Sequence, residues 1–140
     1  MTDEPIRVLL ADADPLQREG WRHIVDAQPD LEVVAEAPDG VQALAVLRRV
    51  MVDVAVVDAR MPRLGGVQVT ETVGTDARIR LTQHAPVTRV VLVTATDLDR
   101  FATAGRDAGA DAVLYKDAEP DVLLAAIRAA GAIRRRLPPS

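Results

Sequence analysis

Three runs in this chain, Ile6–Ala11 (IRVLLA), Asp53–Asp58 (DVAVVD) and Arg89–Thr94 (RVVLVT), are apolar at nearly every residue rather than at alternate ones. Successive side chains of a strand point to opposite faces, so a run of this kind must be buried on both. A sheet with one wet face is thereby excluded, and a parallel sheet covered by helices on either side is required. Two further strands are expected at Leu31–Ala37 (LEVVAEA) and Asp111–Tyr115 (DAVLY).

Helical patterns fill the intervals. Pro15–Ala27 opens with Asp14 as a cap and Pro15 at the first helical position, where the missing N–H costs nothing. Asp39–Val50 follows Pro38 and is expected to bury Val41, Leu44, Ala45 and Leu47, and Leu98–Ala108 stops at Gly109. Glu119–Arg136 aligns Val122, Leu123, Ala126, Ile127, Ala130 and Ile133 in one stripe, closed by Pro138-Pro139. Gly65–Thr72 has helical potential. Gly74–Pro86 reads as a loop, functional or mobile at that length.

Five β–α units predict an α/β fold, a doubly wound parallel sheet in the strand order 2-1-3-4-5 with helices on both faces. The 140 residues suit one domain, expected over 1–132, with 133–140 a tail or the start of a linker to an output domain not present in this chain. One Trp, one Tyr and one Phe leave an aliphatic core, and the absence of cysteine removes disulfides and thiol chemistry. A net charge of −4 speaks against nucleic-acid binding by these residues alone. No apolar run reaches the roughly 20 residues of a membrane span, and the opening Met-Thr-Asp-Glu-Pro has no signal-peptide pattern, so a cytoplasmic location is expected.

Polar residues close the apolar runs. Asp12 follows the first strand, with Asp14 two residues on; Asp58 ends the third, Thr94 the fourth, and Lys116 follows the fifth. In an open α/β sheet the ligand site lies beyond the carboxyl ends of the strands, so these groups should meet in one acidic pocket flanked by a hydroxyl and an ammonium. Clustered carboxylates suit a hard cation such as Mg²⁺. A carboxylate there can attack a phosphoryl group, whose charge a Lys and a hydroxyl partly neutralise.

IRVLLADADP at Ile6–Pro15, DVAVVDARMP at Asp53–Pro62, RVVLVTATDLD at Arg89–Asp99, Gly109-Ala110 and LYKDA at Leu114–Ala118 together resemble the receiver domains of response regulators, which have the flavodoxin-like, CheY-like fold. Pro15, Arg18-x-Gly20, Pro38-Asp39-Gly40 and Lys116-Asp117-Ala118 resemble the LuxR/NarL-type branch of transcriptional regulators. The resemblance implies a signalling switch of a two-component system and not an enzyme. Asp58 would accept a phosphoryl group from a sensor histidine kinase or a small phosphodonor, with Thr94 and Lys116 binding it. Mg²⁺ would be held by Asp12, Asp58 and the backbone carbonyl of Arg60. The outcome would be a changed homodimer surface, or DNA binding through a C-terminal helix-turn-helix domain absent here; no membrane is involved.

The chain departs from that pattern at three places. Ala13 stands where the family has a second acid, which should weaken the metal site; Asp14 is either a replacement ligand or simply the helix cap. Val113 occupies the usual aromatic position, with Tyr115 two residues on. The Gly74–Pro86 stretch is longer than usual. Ala13 therefore keeps a second reading open, an atypical receiver that acts without phosphorylation as a dimerisation or small-ligand-binding module. A phosphohydrolase would need an acid two residues after its nucleophile, and Arg60 stands there. His23 and His84 lack metal-ligand spacing, Trp21 suits packing, and Arg134–Arg136 suits a helix C-terminus.

Overall fold

Each apolar run forms a strand in the computed structural model, which describes residues 4–84 and 87–136. The strands are β1 (Ile6–Ala11), β2 (Leu31–Ala37), β3 (Val54–Asp58), β4 (Arg89–Thr94) and β5 (Ala112–Tyr115). They pair in parallel in the order β2-β1-β3-β4-β5, as expected. The β3–β4 ladder runs in step from Val54 opposite Arg89 to Asp58 opposite Val93.

Side-chain alternation splits the core in two. Val8, Leu10, Val54, Val56, Val91 and Val93 face Trp21 and Val25 of α1 (Pro15–Asp26) and Leu123, Leu124 and Ile127 of α6 (Pro120–Arg136). On the other face Leu9, Ala11, Ala55, Val57, Val90 and Leu92 meet α2 (Gly40–Leu47), α3 (Gly66–Thr75) and α4 (Ala77–Gln83), with Phe101 of α5 (Leu98–Ala108) at the margin. Each fully buried Val or Leu contributes about 1.5–3 kcal/mol by leaving water. The central strands are therefore the least able to shift, and the groups at their ends inherit that rigidity.

Two helices bury only part of the stripes that the periodicity predicts: Leu44 and Leu47 of α2, and Leu123, Ile127 and Ala130 of α6, are buried as expected. In α2 the buried positions are Ala43, Leu44, Val46 and Leu47, while Val41 is exposed. In α6 the stripe is Leu123, Leu124, Ile127 and Ala130, continued by Arg134; Val122 and Ile133 are exposed. Arg134 takes the place Ile133 was expected to fill because its guanidinium has acceptors waiting. It donates to the carbonyls of Val52 and Gln83, and its Nε lies 3.4 Å from Asp53 Oδ1. Burial lowers the Arg134 pKa, and the Asp53 charge opposes that effect. The next residue, Arg135, donates to the carbonyls of Glu4 and Pro5.

The stretch Gly74–Pro86, expected to be a loop, instead completes α3 and forms α4, with Ala85 and Pro86 outside the described residues. Asp76 caps α4 by accepting from Ile79 N at 2.9 Å. Arg48 binds the same carboxylate at 2.7 Å, and that hydrogen bond holds the Asp76 pKa below its ordinary value. A helix of seven residues shows little periodicity, and one of its two buried positions is polar. That residue, Gln83, donates to the carbonyls of Leu47 and Val50 and accepts from Val52 N. It thus supplies the backbone partners that the end of α2 would otherwise lack.

Gln83→Leu keeps the volume but strands those three backbone groups in the interior. It should lower unfolding stability by about 3 kcal/mol, measured by urea denaturation. A loss below about 1 kcal/mol would mean that water replaces the amide.

Candidate functional site

The strand ends meet as expected from their sequence positions. Asp12 leaves β1 with its backbone N–H bonded to the Ala37 carbonyl, and Asp58 closes β3. Lys116 follows β5, its N–H donating to the Thr94 carbonyl at 2.9 Å. These ladders deliver one ammonium to two carboxylates. Lys116 Nζ lies 2.7 Å from Asp12 Oδ2 and 2.8 Å from Asp58 Oδ2. Asp12 is 1% exposed and Asp58 5%.

The second oxygens are held by the backbone. Asp12 Oδ1 accepts from Asp14 N at 2.8 Å, and Asp58 Oδ1 from Arg60 N at 3.1 Å. Asp12 Oδ2 is different: it is buried, the ammonium is at ion-pair distance, yet no donor is aligned on it for a hydrogen bond among the described residues. Two carboxylates share one cation, so the cluster carries a net negative charge in a site from which water is largely excluded. Burial accordingly raises the Asp58 pKa, against the lowering effects of the Lys116 and Arg60 hydrogen bonds. Lys116 is also desolvated, but its two carboxylate partners outweigh that and raise its pKa.

Thr94 is fully buried, and its hydroxyl donates to the Thr96 carbonyl at 2.6 Å rather than to either carboxylate. Asp14 caps α1, its Oδ1 accepting from Leu16 N at 2.9 Å. Among the described residues no three His, Cys, Asp or Glu side chains gather closely enough to share one ion. The oxygen donors at hand for a hard cation are Asp12 and Asp58, joined in the sequence expectation by the Arg60 carbonyl. The orphaned Asp12 Oδ2 and the uncompensated charge fit a divalent cation, with one carboxylate fewer than Ala13→Asp would provide. His23 and His84 are exposed and Trp21 is buried in packing.

Two contributors escape sequence reasoning. Gly66 lies where a Cβ would sit 2.5 Å from the Asp58 carbonyl oxygen, so only glycine lets α3 start against the end of β3. The second is the Arg60 side chain, whose guanidinium lies 2.5 Å from Asp97 on the loop after β4.

Residues 8–128 match the family described as the response regulator receiver domain. The chain belongs to that family. Among its relatives are the uncharacterized transcriptional regulatory protein YxjL of Bacillus subtilis (37% identical over 93% of this chain and 56% of that protein) and the nitrate/nitrite response regulator protein NarP of Escherichia coli (36%, over 89% and 54%). This receiver thus spans about half the length of the curated relatives it matches. The solved receiver domain of the putative response regulator NarL from Mycobacterium tuberculosis superposes with a TM-score of 0.82 at 30% identity, covering 93% of this chain and 98% of that one. The CheY-like fold and the two-component signalling class follow. Among the described residues no helix is long and apolar enough to cross a membrane.

The buried charge has a measurable cost. A folded-state pKa above the unfolded value means that ionised Asp58 opposes folding at neutral pH and ceases to do so as pH falls through its raised pKa. Asp58→Asn should therefore stabilise the receiver at pH 7. The gain should vanish below about pH 4, where Asp58 is protonated in both states. Urea midpoints across that range test it, and a variant less stable than wild type at pH 7 would refute the assignment of strain to this carboxylate.

Proposed function

We propose that Asp58 is the phosphoacceptor of this receiver. The observation that carries the reading is the Lys116 ammonium held within 2.8 Å of the buried Asp58 carboxylate and shared with Asp12. An Asp58 oxygen attacks the donor phosphorus, either on a histidine of a sensor kinase or on a small acyl phosphate. The new O–P bond forms as the P–N or P–O bond to the donor breaks, and the imidazole or carboxylate leaves with the electron pair. Lys116 keeps its place and neutralises part of the charge on the transferred group. Thr94, whose hydroxyl is occupied by Thr96, would exchange that carbonyl for a phosphoryl oxygen.

A bound Mg²⁺ would supply charge neutralisation at the phosphoryl oxygens; Asp12, Asp58 and the Arg60 carbonyl would hold it. The phosphorylated form would bias a two-state equilibrium of the β4–α5–β5–α6 region. The output would be a changed dimer surface in the cytoplasm, or DNA binding by a helix-turn-helix domain outside these residues. On this reading the expected body over 1–132 is the switch and 133–140 leads toward the output. A phosphorylation-independent module is the second reading. It is favoured by Ala13 together with the engagement of Asp14 as a helix cap.

Incubation with acetyl phosphate and Mg²⁺ should add one phosphoryl group by intact mass, and Asp58→Asn should abolish it. Ala13→Asp should lower the Mg²⁺ concentration needed for half-maximal labelling by about tenfold, the order of effect of one added metal ligand shell contact. A folded wild type that gains no mass would favour the second reading.

A further inference from the structure

Arg60 has its root at the candidate phosphoacceptor and its tip elsewhere. Its backbone N–H donates to Asp58 Oδ1, while the guanidinium lies 2.5 Å from Asp97 Oδ2 and 5.2 Å from the centre of the Phe101 ring. The side chain therefore straps the loop after β3 to the loop that leads from Thr94 into α5. Asp97 stands at the N-cap of α5, a position where Asp ordinarily accepts a helix N–H, yet it makes no such bond. Its backbone is also left-handed, at φ 56°, outside the extended region that a capping residue ordinarily occupies. Its carboxylate is engaged by Arg60 and not by the start of α5.

Both partners are about half exposed, and an exposed ion pair is weak and screened. A phosphoryl group offers more, with nearly two negative charges and three acceptor oxygens. The pocket would also need another cation. Lys116 is already shared between two carboxylates, and phosphorylation would replace one of their charges with a larger one. From these observations we propose that Arg60 has two alternative anions, Asp97 in the resting receiver and the phosphoryl group on Asp58 in the charged one. The exchange frees Asp97 to cap α5 and so carries the charge state of Asp58 to the β4–α5 loop. Arg60 is on this view a phosphoryl-binding residue, and its role rests on the phosphoacceptor reading above.

A double-mutant cycle on the rate of labelling by acetyl phosphate tests the exchange. Asp97→Asn releases Arg60 and should speed labelling about threefold, the scale of an exposed ion pair. Arg60→Ala should slow it, Arg60→Lys should largely restore it, and Asp97→Asn should have no effect in the Arg60→Ala background. Equal acceleration by Asp97→Asn in both backgrounds would reduce the effect to a general loss of negative charge and overturn the proposal. Absence of labelling in the wild type would instead remove the phosphoacceptor reading, and the exchange with it. Urea midpoints of all four variants exclude misfolding as the cause of either result.

Discussion

A single ammonium placed between two carboxylates that have left water is the interaction on which the rest of this receiver depends. Lys116 compensates one of the two charges on Asp12 and Asp58 and leaves the other. Removing the ammonium would leave both charges unpaired, and each unpaired buried charge costs about 3–5 kcal/mol; supplying another cation would relieve the one already left over. The pocket is thus held short of neutrality by design of its residues, and a short pocket is one that responds to what binds. The apolar runs matter because they make this imbalance tolerable. Strands buried on both faces give up enough water-exposed apolar surface to hold three charged groups in register against their own repulsion.

The groups around this pair are engaged elsewhere. Thr94 donates to Thr96, Asp14 to the start of α1 gives an acceptor, and Arg60 turns to Asp97. Each is one or two bonds from the pocket and committed to a local partner. Local partners of this kind are cheap to exchange, because a hydroxyl–carbonyl bond or an exposed ion pair is worth about 1 kcal/mol. A charged ligand can outbid them without disturbing the strands that present them.

How much of this could be read beforehand follows from which forces are local. The three central strands were legible because burial on both faces leaves an uninterrupted apolar signature, the edge strands β2 and β5 by their shorter apolar runs, and the pocket because each polar residue sits directly at the end of a run. Asp14 before Pro15 announced its cap. α4 was not legible: seven residues give less than two full turns of pattern, and Gln83 conceals one of the two inward positions. Arg134 read as one of three arginines suited to a helix C-terminus, since nothing nearby in sequence shows that Val52, Asp53 and Gln83 will surround it. The Arg60–Asp97 contact spans 37 positions, and charge alone does not reveal such a partner.

The position of α4 has a bearing on how chains of this architecture diverge. Its end meets the Val52 N–H and lies by the Arg134 guanidinium, at the amino ends of the strands, whereas the pocket lies at the carboxyl ends. The crossing from α3 to β4 can therefore lengthen without altering the pairing of Asp58 with Val93. For an open connection each doubling of length costs only about 0.6 kcal/mol. Here α4 offsets that cost by sealing the end of α2 with its own glutamine. The receiver has a growth point at the pole opposite its acidic pocket, so new surface can be tried there, by mutation or by grafting, while the pocket end stays in place.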